Sequence, residues 1–290
     1  MGAMRLGGFM IWVKRTSVAL VGMITFALVL LYAGSEWVLR QTHATLIEPI
    51  VADRSSAGLV EGGRLARIVG CRGCHSQDGT GRVLAEDVMI GRIAAPAIAR
   101  RAAVYSDAEL VRLIRHGVKR DGTALHVMPT QALMHLADGD VARIIGWVRT
   151  LRPTPHDVPG TVSYGPLGRF LILTGALDSK FRPIDHAPPL RPTETGRYFA
   201  HVSCLACHDL HQAKPEEGAP ATIIPALAQV GAAYEPKAFH TLLRTGVGMT
   251  PRDLGLMSRV ARGDLKMLTE DEIAAIQAYL VREQNHPSAQ

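Results

Sequence analysis

All four cysteines of the chain fall in two copies of one five-residue pattern, "CRGCH" at 71–75 and "CLACH" at 204–208. Two thiols three positions apart share one face of a helical turn, and the next residue offers an imidazole nitrogen. C-x-x-C-H is the attachment pattern of a c-type haem: the thiols form thioethers to the two vinyl groups and the histidine lies beneath the iron. Cys71 and Cys74 then hold one haem over His75, and Cys204 and Cys207 a second over His208. A redox disulfide would need a βαβ setting, which the sequence lacks, and a zinc site normally gathers four ligands in one cluster.

The surroundings of the two patterns also repeat. Glu61-Gly62-Gly63-Arg64 and Glu194-Thr195-Gly196-Arg197 each stand six residues before the first cysteine, giving E-x-G-R-x6-C-x-x-C-H at an offset of 133. Pro96 and Tyr105 match Pro225 and Tyr234 at an offset of 129, and "LIRHGV" (113–118) matches "LLRTGV" (242–247). "LADGDVARIIGWV" (136–148) matches "LTEDEIAAIQAYL" (268–280) at 132. The second unit is therefore four residues shorter in one stretch and three longer in another, changes that belong in loops.

The repeat nominates a sixth iron ligand. Met128 and Met257 each stand eleven residues after a matched glycine, Gly117 or Gly246. A methionine sulfur raises the potential of a haem. The competing reading is that these methionines fill gaps in the core, and His126 in place of Met128 would give a bis-histidine site. Met249 and Met267 align with Arg120 and His135 and are not nominated. Pro96 and Pro225 are candidates for orienting the proximal histidines, because a backbone carbonyl there can accept the second ring N–H; a plain turn proline is the alternative. Trp147 and Tyr279 read as packing residues. His116, His186, His201, His211 and His240 have no histidine counterpart and read as surface or core histidines.

These groups must be positioned by helices. "YSDAELVRLIRHG" carries Leu110, Leu113 and Ile114 on one stripe behind Ser106 as an N-cap. "TEDEIAAIQAYLV" opens with the capping-box pair Thr269 and Glu272. "EGGRLARIVG" and "ETGRYFAHVS" lead into the cysteines as short helices, and period-two alternation is scarce. The fold class expected is all-α, with two related domains at 58–152 and 191–285. A Pro- and Gly-rich connector, 153–190, joins them. Its apolar middle, "GPLGRFLILTG", is a short helix or a strand that packs across both domains.

Upstream, residues 16–35 carry no charge over 20 positions. At about 1.5 Å per residue such a helix is about 30 Å long, the thickness of a bilayer core. Arg5, Lys14 and Arg15 precede it without an acidic residue, which puts the N-terminus in the cytoplasm and residues 37–290 on the extracytoplasmic, periplasmic side. Residues 1–40 read as a retained membrane anchor. The competing reading is a signal peptide, for which Ala33-Gly34-Ser35 supplies a small-x-small cleavage pattern.

Composition is consistent with these assignments. Of 290 residues, 47% are apolar but only 5% aromatic, so two small domains lack large rings to fill their centres, a shortfall that a bulky apolar cofactor makes up. The net charge of +6 is dispersed. With no zinc-finger pattern and no basic stretch interleaved with aromatics, nucleic acid is not an expected partner.

Taken together, the helix into C-x-x-C-H, the Pro-containing loop, the Met loop and the C-terminal helix resemble class I c-type cytochrome domains. "DLGLMSRVARGDLKMLTEDEIAAIQAYL" is similar to the Met loop and final helix of cytochrome c subunits of membrane-bound alcohol and aldehyde dehydrogenases, which commonly carry three haem motifs where this chain has two. The resemblance implies a haem-binding helical fold and electron transfer. The expected function is a membrane-anchored dihaem carrier with a dehydrogenase, an oxidase or a soluble cytochrome as redox partners. The alternative is a dihaem peroxidase-like enzyme with one open haem.

Overall fold

The computed structural model describes residues 3–286 apart from 46, 161, 184–192, 217–218 and 251. His186 and the later part of the connector lie outside the described residues.

The chain is helix-rich. Helix α1 (Ala3–Leu39) is followed by α2 (Ser56–Ile68), α3 (Cys71–His75), strands β1 (Arg82–Asp87) and β2 (Gly91–Ala95), α4 (Ile98–Ala102), α5 (Asp107–His116), α6 (Thr130–Leu133) and α7 (Asp138–Thr150). Strand β3 (Ser163–Tyr164) and α8 (Pro166–Leu173) come next. The second half runs α9 (Thr195–Ser203), a 3-10 turn at Cys204–Ala206, β4 (Lys214–Glu216), β5 (Ala219–Ile224), α10 (Leu227–Ala233), α11 (Pro236–Thr245), α12 (Leu256–Gly263), a 3-10 turn at Leu265–Met267 and α13 (Glu270–Asn285).

The residue Phe9–Leu39 stretch of α1 is long and apolar enough to cross a membrane, and none of its most apolar window is buried by the rest of the chain. Such a helix has no soluble face to hide, which is why it carries apolar residues all round.

In each half, the helix leading into the cysteines crosses the half's last helix: α2 packs on α7 and α9 on α13. A glycine makes each crossing. A Cβ on Gly62 would lie 1.9 Å from the carbonyl oxygen of Arg143, and one on Gly196 2.0 Å from that of Ala275. No side chain fits at either place. The register of the repeat therefore differs from the offset of 133 read in the sequence. The contacting glycines are 134 apart, and Gly63, which aligns with Gly196 by letter, faces Trp147 instead. The extra residue is absorbed at Gly70, whose left-handed backbone (φ 82) separates α2 from α3, whereas α9 runs directly into Cys204.

Helices α5 and α13 open with complete capping boxes, Ser106 with Glu109 and Thr269 with Glu272. Both α5 and α11 stop at a left-handed glycine, Gly117 and Gly246. Buried side chains of the two halves form one continuous core. Leu65, Val111, Leu136, Ile144 and Ile145 lie in it together with Phe199, Leu243, Leu268, Ile276 and Leu280. Trp147 and Tyr279 are buried in it.

The all-α expectation is corrected by two small antiparallel sheets, β1-β2-β3 and β4-β5. Neither strand of the first hairpin hides one whole face, so the alternation that betrays a strand is missing. Three of the four residues by which the second unit is shorter are lost from this hairpin, which spans 82–95 in the first half and 214–224 in the second, and the fourth is lost from the segment between the histidine and the first strand. The three added residues do not form a loop: the helix that follows Met128, α6, has four residues, while α12, which contains Met257, has eight.

The apolar connector segment is helical, but it does not pack across the two halves. Helix α8 docks on α1: Leu173 meets Gly34, and Arg169 donates to Ser35 Oγ at 2.9 Å and stacks over the Tyr32 ring at 4.5 Å. Strand β3 simultaneously joins β2.

Candidate metal centres

Each C-x-x-C-H lies on a tight helical turn. In α3 the turn is α-helical; in the second copy Cys207 N–H and His208 N–H both donate to the Cys204 carbonyl, at 3.2 and 2.9 Å. None of the four cysteines is in a disulfide. Burial pushes Cys71 up to about 12 and Cys204 to about 11, and it raises Cys74 as well. Thiols that stay protonated are poor disulfide-exchange nucleophiles. Among the described residues, no cluster of three or more His, Cys, Asp or Glu side chains is arranged to hold a metal ion.

His75 Nδ1 lies 2.7 Å from the carbonyl oxygen of Pro96, and His208 Nδ1 lies 2.9 Å from that of Pro225. A carbonyl only accepts, so Nδ1 carries the proton in both rings. Burial holds both imidazoles below the usual histidine value against the opposing pull of these hydrogen bonds, and the neighbouring Lys214 adds to the depression at His208. A neutral ring protonated at Nδ1 keeps its lone pair on Nε2. Each histidine is thus fixed in the tautomer and orientation of a metal ligand. The chain after His75 is turned by Ser76, a non-glycine residue in left-handed backbone (φ 68), whose hydroxyl donates to the Gly81 carbonyl at 2.8 Å.

Met128 and Met257 are half-buried and pack against the same core as Cys71 and Cys204. The Met128 carbonyl accepts from Thr130 N–H at 2.8 Å. Met257 is held by its neighbour: the buried Ser258 hydroxyl donates to the Gly246 carbonyl at 2.6 Å and accepts from Leu254 N–H at 2.9 Å. His126 is buried edge-on to the Tyr164 ring. Met267 also packs on the core, whereas Met249 is exposed. His116 is buried, His201 and His211 are half-buried, and His240 pairs with Glu270 at 2.6 Å.

Several neighbours escaped the sequence reading. Gln131, three residues after Met128, donates from Nε2 to the Ala206 carbonyl at 3.1 Å, so the Met128 loop is tied to the second cysteine turn. Reciprocally, Asp264, seven residues after Met257, sits against Gly73 of the first turn, and its buried Oδ1 has no hydrogen-bond partner among the described residues. Arg72 stacks over Trp147 at 4.9 Å. A cleft of about 370 Å³ opens beside His208, lined by Arg197, His201, Leu205, Lys214 and Glu283. His201 donates to or accepts from Tyr279 Oη at 3.1 Å, and burial with the nearby His135 and Arg197 lowers it to about 4. These residues come from α3, α6, α9, β4, α13 and the residue that follows α12, so no local spacing rule gathers them.

Comparison with known proteins is brief. No family model and no curated relative matches the chain. Its chemistry must be read from its own residues. They fit a group that takes two thiols from one helical turn and an imidazole Nε2 from the next residue, and they offer it twice.

Proposed function

We propose that the chain is a membrane-anchored dihaem cytochrome c built from two tandem cytochrome c-like domains, and that it carries electrons between a dehydrogenase or quinol-oxidising partner and an oxidase or soluble cytochrome. The observation that carries this reading is the pair of histidine–proline hydrogen bonds, 2.7 and 2.9 Å, each at the end of its own C-x-x-C-H. A redox-disulfide pattern gives no reason for a histidine oriented this way twice, and a zinc site would need further ligands grouped with each histidine, a grouping not found among the described residues.

Haem c, when bound, supplies a reversible one-electron iron centre. The residues of this chain do the rest. Cys71 with Cys74 and Cys204 with Cys207 make the covalent attachment. His75 and His208 would each offer the iron Nε2, and the carbonyls of Pro96 and Pro225 fix the ring planes and raise the donor strength of the imidazoles. Met128 and Met257 would each give the iron a second protein ligand, an arrangement that suits a carrier rather than an enzyme with an open site. The Gln131–Ala206 bond and the Asp264–Gly73 approach join the methionine segment of each half to the cysteine turn of the other, which favours transfer between the two centres. The anchor places both on the extracytoplasmic side, where cysteine–haem attachment takes place.

The test is mass and spectrum. The intact chain, produced in an export- and maturation-competent host, should carry two covalent haems and should not bind carbon monoxide rapidly when reduced. A bare polypeptide sinks the proposal. Rapid stoichiometric binding of carbon monoxide or cyanide at one centre replaces it with the peroxidase-like reading.

A further inference from the structure

Where α1 leaves its apolar stretch, the chain exposes a second apolar surface. Helix α8 buries Gly168 and Ile172 but leaves Leu167, Phe170 and Leu173 exposed on its other side, Phe170 at 53%. The tip of the β1-β2 hairpin adds Val88, at 89% the most exposed large apolar residue among those described, together with Met89 and Ile90. The tip and the helix are joined: Leu167 N–H donates to the Met89 carbonyl at 2.9 Å and Gly165 N–H to the Ile90 carbonyl at 3.0 Å. At the tip itself, Met89 N–H and Ile90 N–H donate to Asp87 Oδ1 at 2.8 and 2.9 Å, so these backbone donors are already satisfied.

This surface continues the face of α1. Leu173 lies on Gly34, and Arg169, one turn before Leu173 on the same helix, is held by Tyr32, Ser35 and Glu36. Those residues mark the end of the uncharged stretch, next to the exposed Trp37, an aromatic suited to the membrane–water boundary. A contiguous exposed apolar patch on a soluble domain calls for a partner. Here the patch is clamped at the level where α1 emerges, so the partner already adjoining it is lipid.

We infer that α8 and the 88–90 tip dip into the headgroup–acyl boundary of the bilayer that α1 spans, forming a second, interfacial contact that holds the first half of the chain in a fixed orientation against the membrane. One transmembrane helix alone allows the attached domain to swivel; a second contact removes that freedom and decides which surface faces outward. The inference rests on α1 being a retained anchor and is independent of haem.

The experiment uses the full chain reconstituted in vesicles of phosphatidylethanolamine and phosphatidylglycerol, with a photoreactive phenylalanine analogue at position 170, 88, 60 or 21 in turn. Val60 is an exposed apolar residue on α2, and Val21 lies mid-way along α1. Mass analysis after illumination should find lipid adducts at 21, 88 and 170, at yields several-fold above position 60. Adducts at 21 but not at 88 or 170 overturn the interfacial contact and leave the anchor standing. No adduct at 21 overturns the anchor itself. Cross-links from 170 to a second copy of the chain in place of lipid also overturn the inference and make the patch a self-association surface. In a Phe170→Glu variant, adduct formation from position 88 should fall several-fold; an unchanged yield counts against the two elements acting as one surface.

Discussion

Arg64 and Glu272, 208 positions apart, form a two-pronged ion pair: Nη1 reaches Oε2 at 2.8 Å and Nη2 reaches Oε1 at 2.9 Å. Across the same junction, Tyr198 Oη donates to Asp140 Oδ2 at 2.6 Å and accepts from Ala137 N–H at 3.2 Å. Asp140 and Glu272 each occupy the third position of their half's last helix. Arg64 and Tyr198 are separated by 134, the spacing of the crossing glycines. The two contacts are thus images of each other, and the halves meet like the subunits of a two-fold dimer, each offering the same surface. Arg64 is also bound to Glu61, at 2.8 Å.

Glu272→Gln isolates the ion pair, because glutamine still closes the capping box with Thr269. It should lower stability by roughly 1–3 kcal/mol. Tyr198→Phe should cost about 1–2 kcal/mol by depriving Asp140 and Ala137 of a partner. Denaturant unfolding of the full chain in detergent checks both; no change in either variant would mean that the junction contributes nothing to stability.

The glycine register makes a sharper prediction. Gly62→Ala and Gly196→Ala each force a methyl into a backbone carbonyl and should cost roughly 3 kcal/mol or more. At Gly63 the nearest atom to an added Cβ is Trp147 Cδ1 at 3.0 Å, a side chain that can give, so Gly63→Ala should cost about 1 kcal/mol or less. If Gly63 is the more sensitive of the two neighbours, the helix crossing is misregistered.

For the proposed ligands, Met257→Ala should remove one centre's far-red sulfur-to-iron absorption from the ferric spectrum and open that iron to carbon monoxide. Met128→Ala should do the same at the other centre. An unchanged spectrum in either variant rejects that methionine, and for Met128 turns attention to His126.

Replacing Cys204 and Cys207 together by alanine should leave a chain with a single covalent haem, read by intact mass. Retention of two would refute the attachment at this turn.

Acid should release the segment that follows α1. Burial works to raise the Glu48 carboxyl, but hydrogen bonding to His116 and the charge of the fully buried Arg115 outweigh it and hold the group below its ordinary value. A depressed folded pKa gives stabilisation that is fully present above the unfolded value, about 4.3, and lost as pH falls through the folded one. Glu48→Gln should therefore cost roughly 3 kcal/mol at pH 7, and the gap between variant and parent should narrow steadily below about pH 4. A gap independent of pH would remove Glu48 as the responsible group.

Much was legible in the sequence because it depends on neighbours in the chain. The paired cysteine–histidine patterns, the long uncharged helix, the N-cap at Ser106 and the capping box at Thr269 are all set by residues within a few positions of one another. The repeat also brought Pro96 and Pro225 to notice, although their carbonyls reach His75 and His208 across 21 and 17 positions. Tertiary structure alone decided the rest. Whether Gly62 or Gly63 meets the backbone of α7 depends on how the chain turns at Gly70. The hairpins are invisible to periodicity because neither face is wholly buried. Helix α8 chose α1 over the core because Leu173 and Arg169 find Gly34, Ser35 and Glu36 there, and the Arg64–Glu272 pair exists only because the halves dock. Each of these outcomes is a contact between distant segments, whose free energy depends on shape and burial that no local spacing encodes.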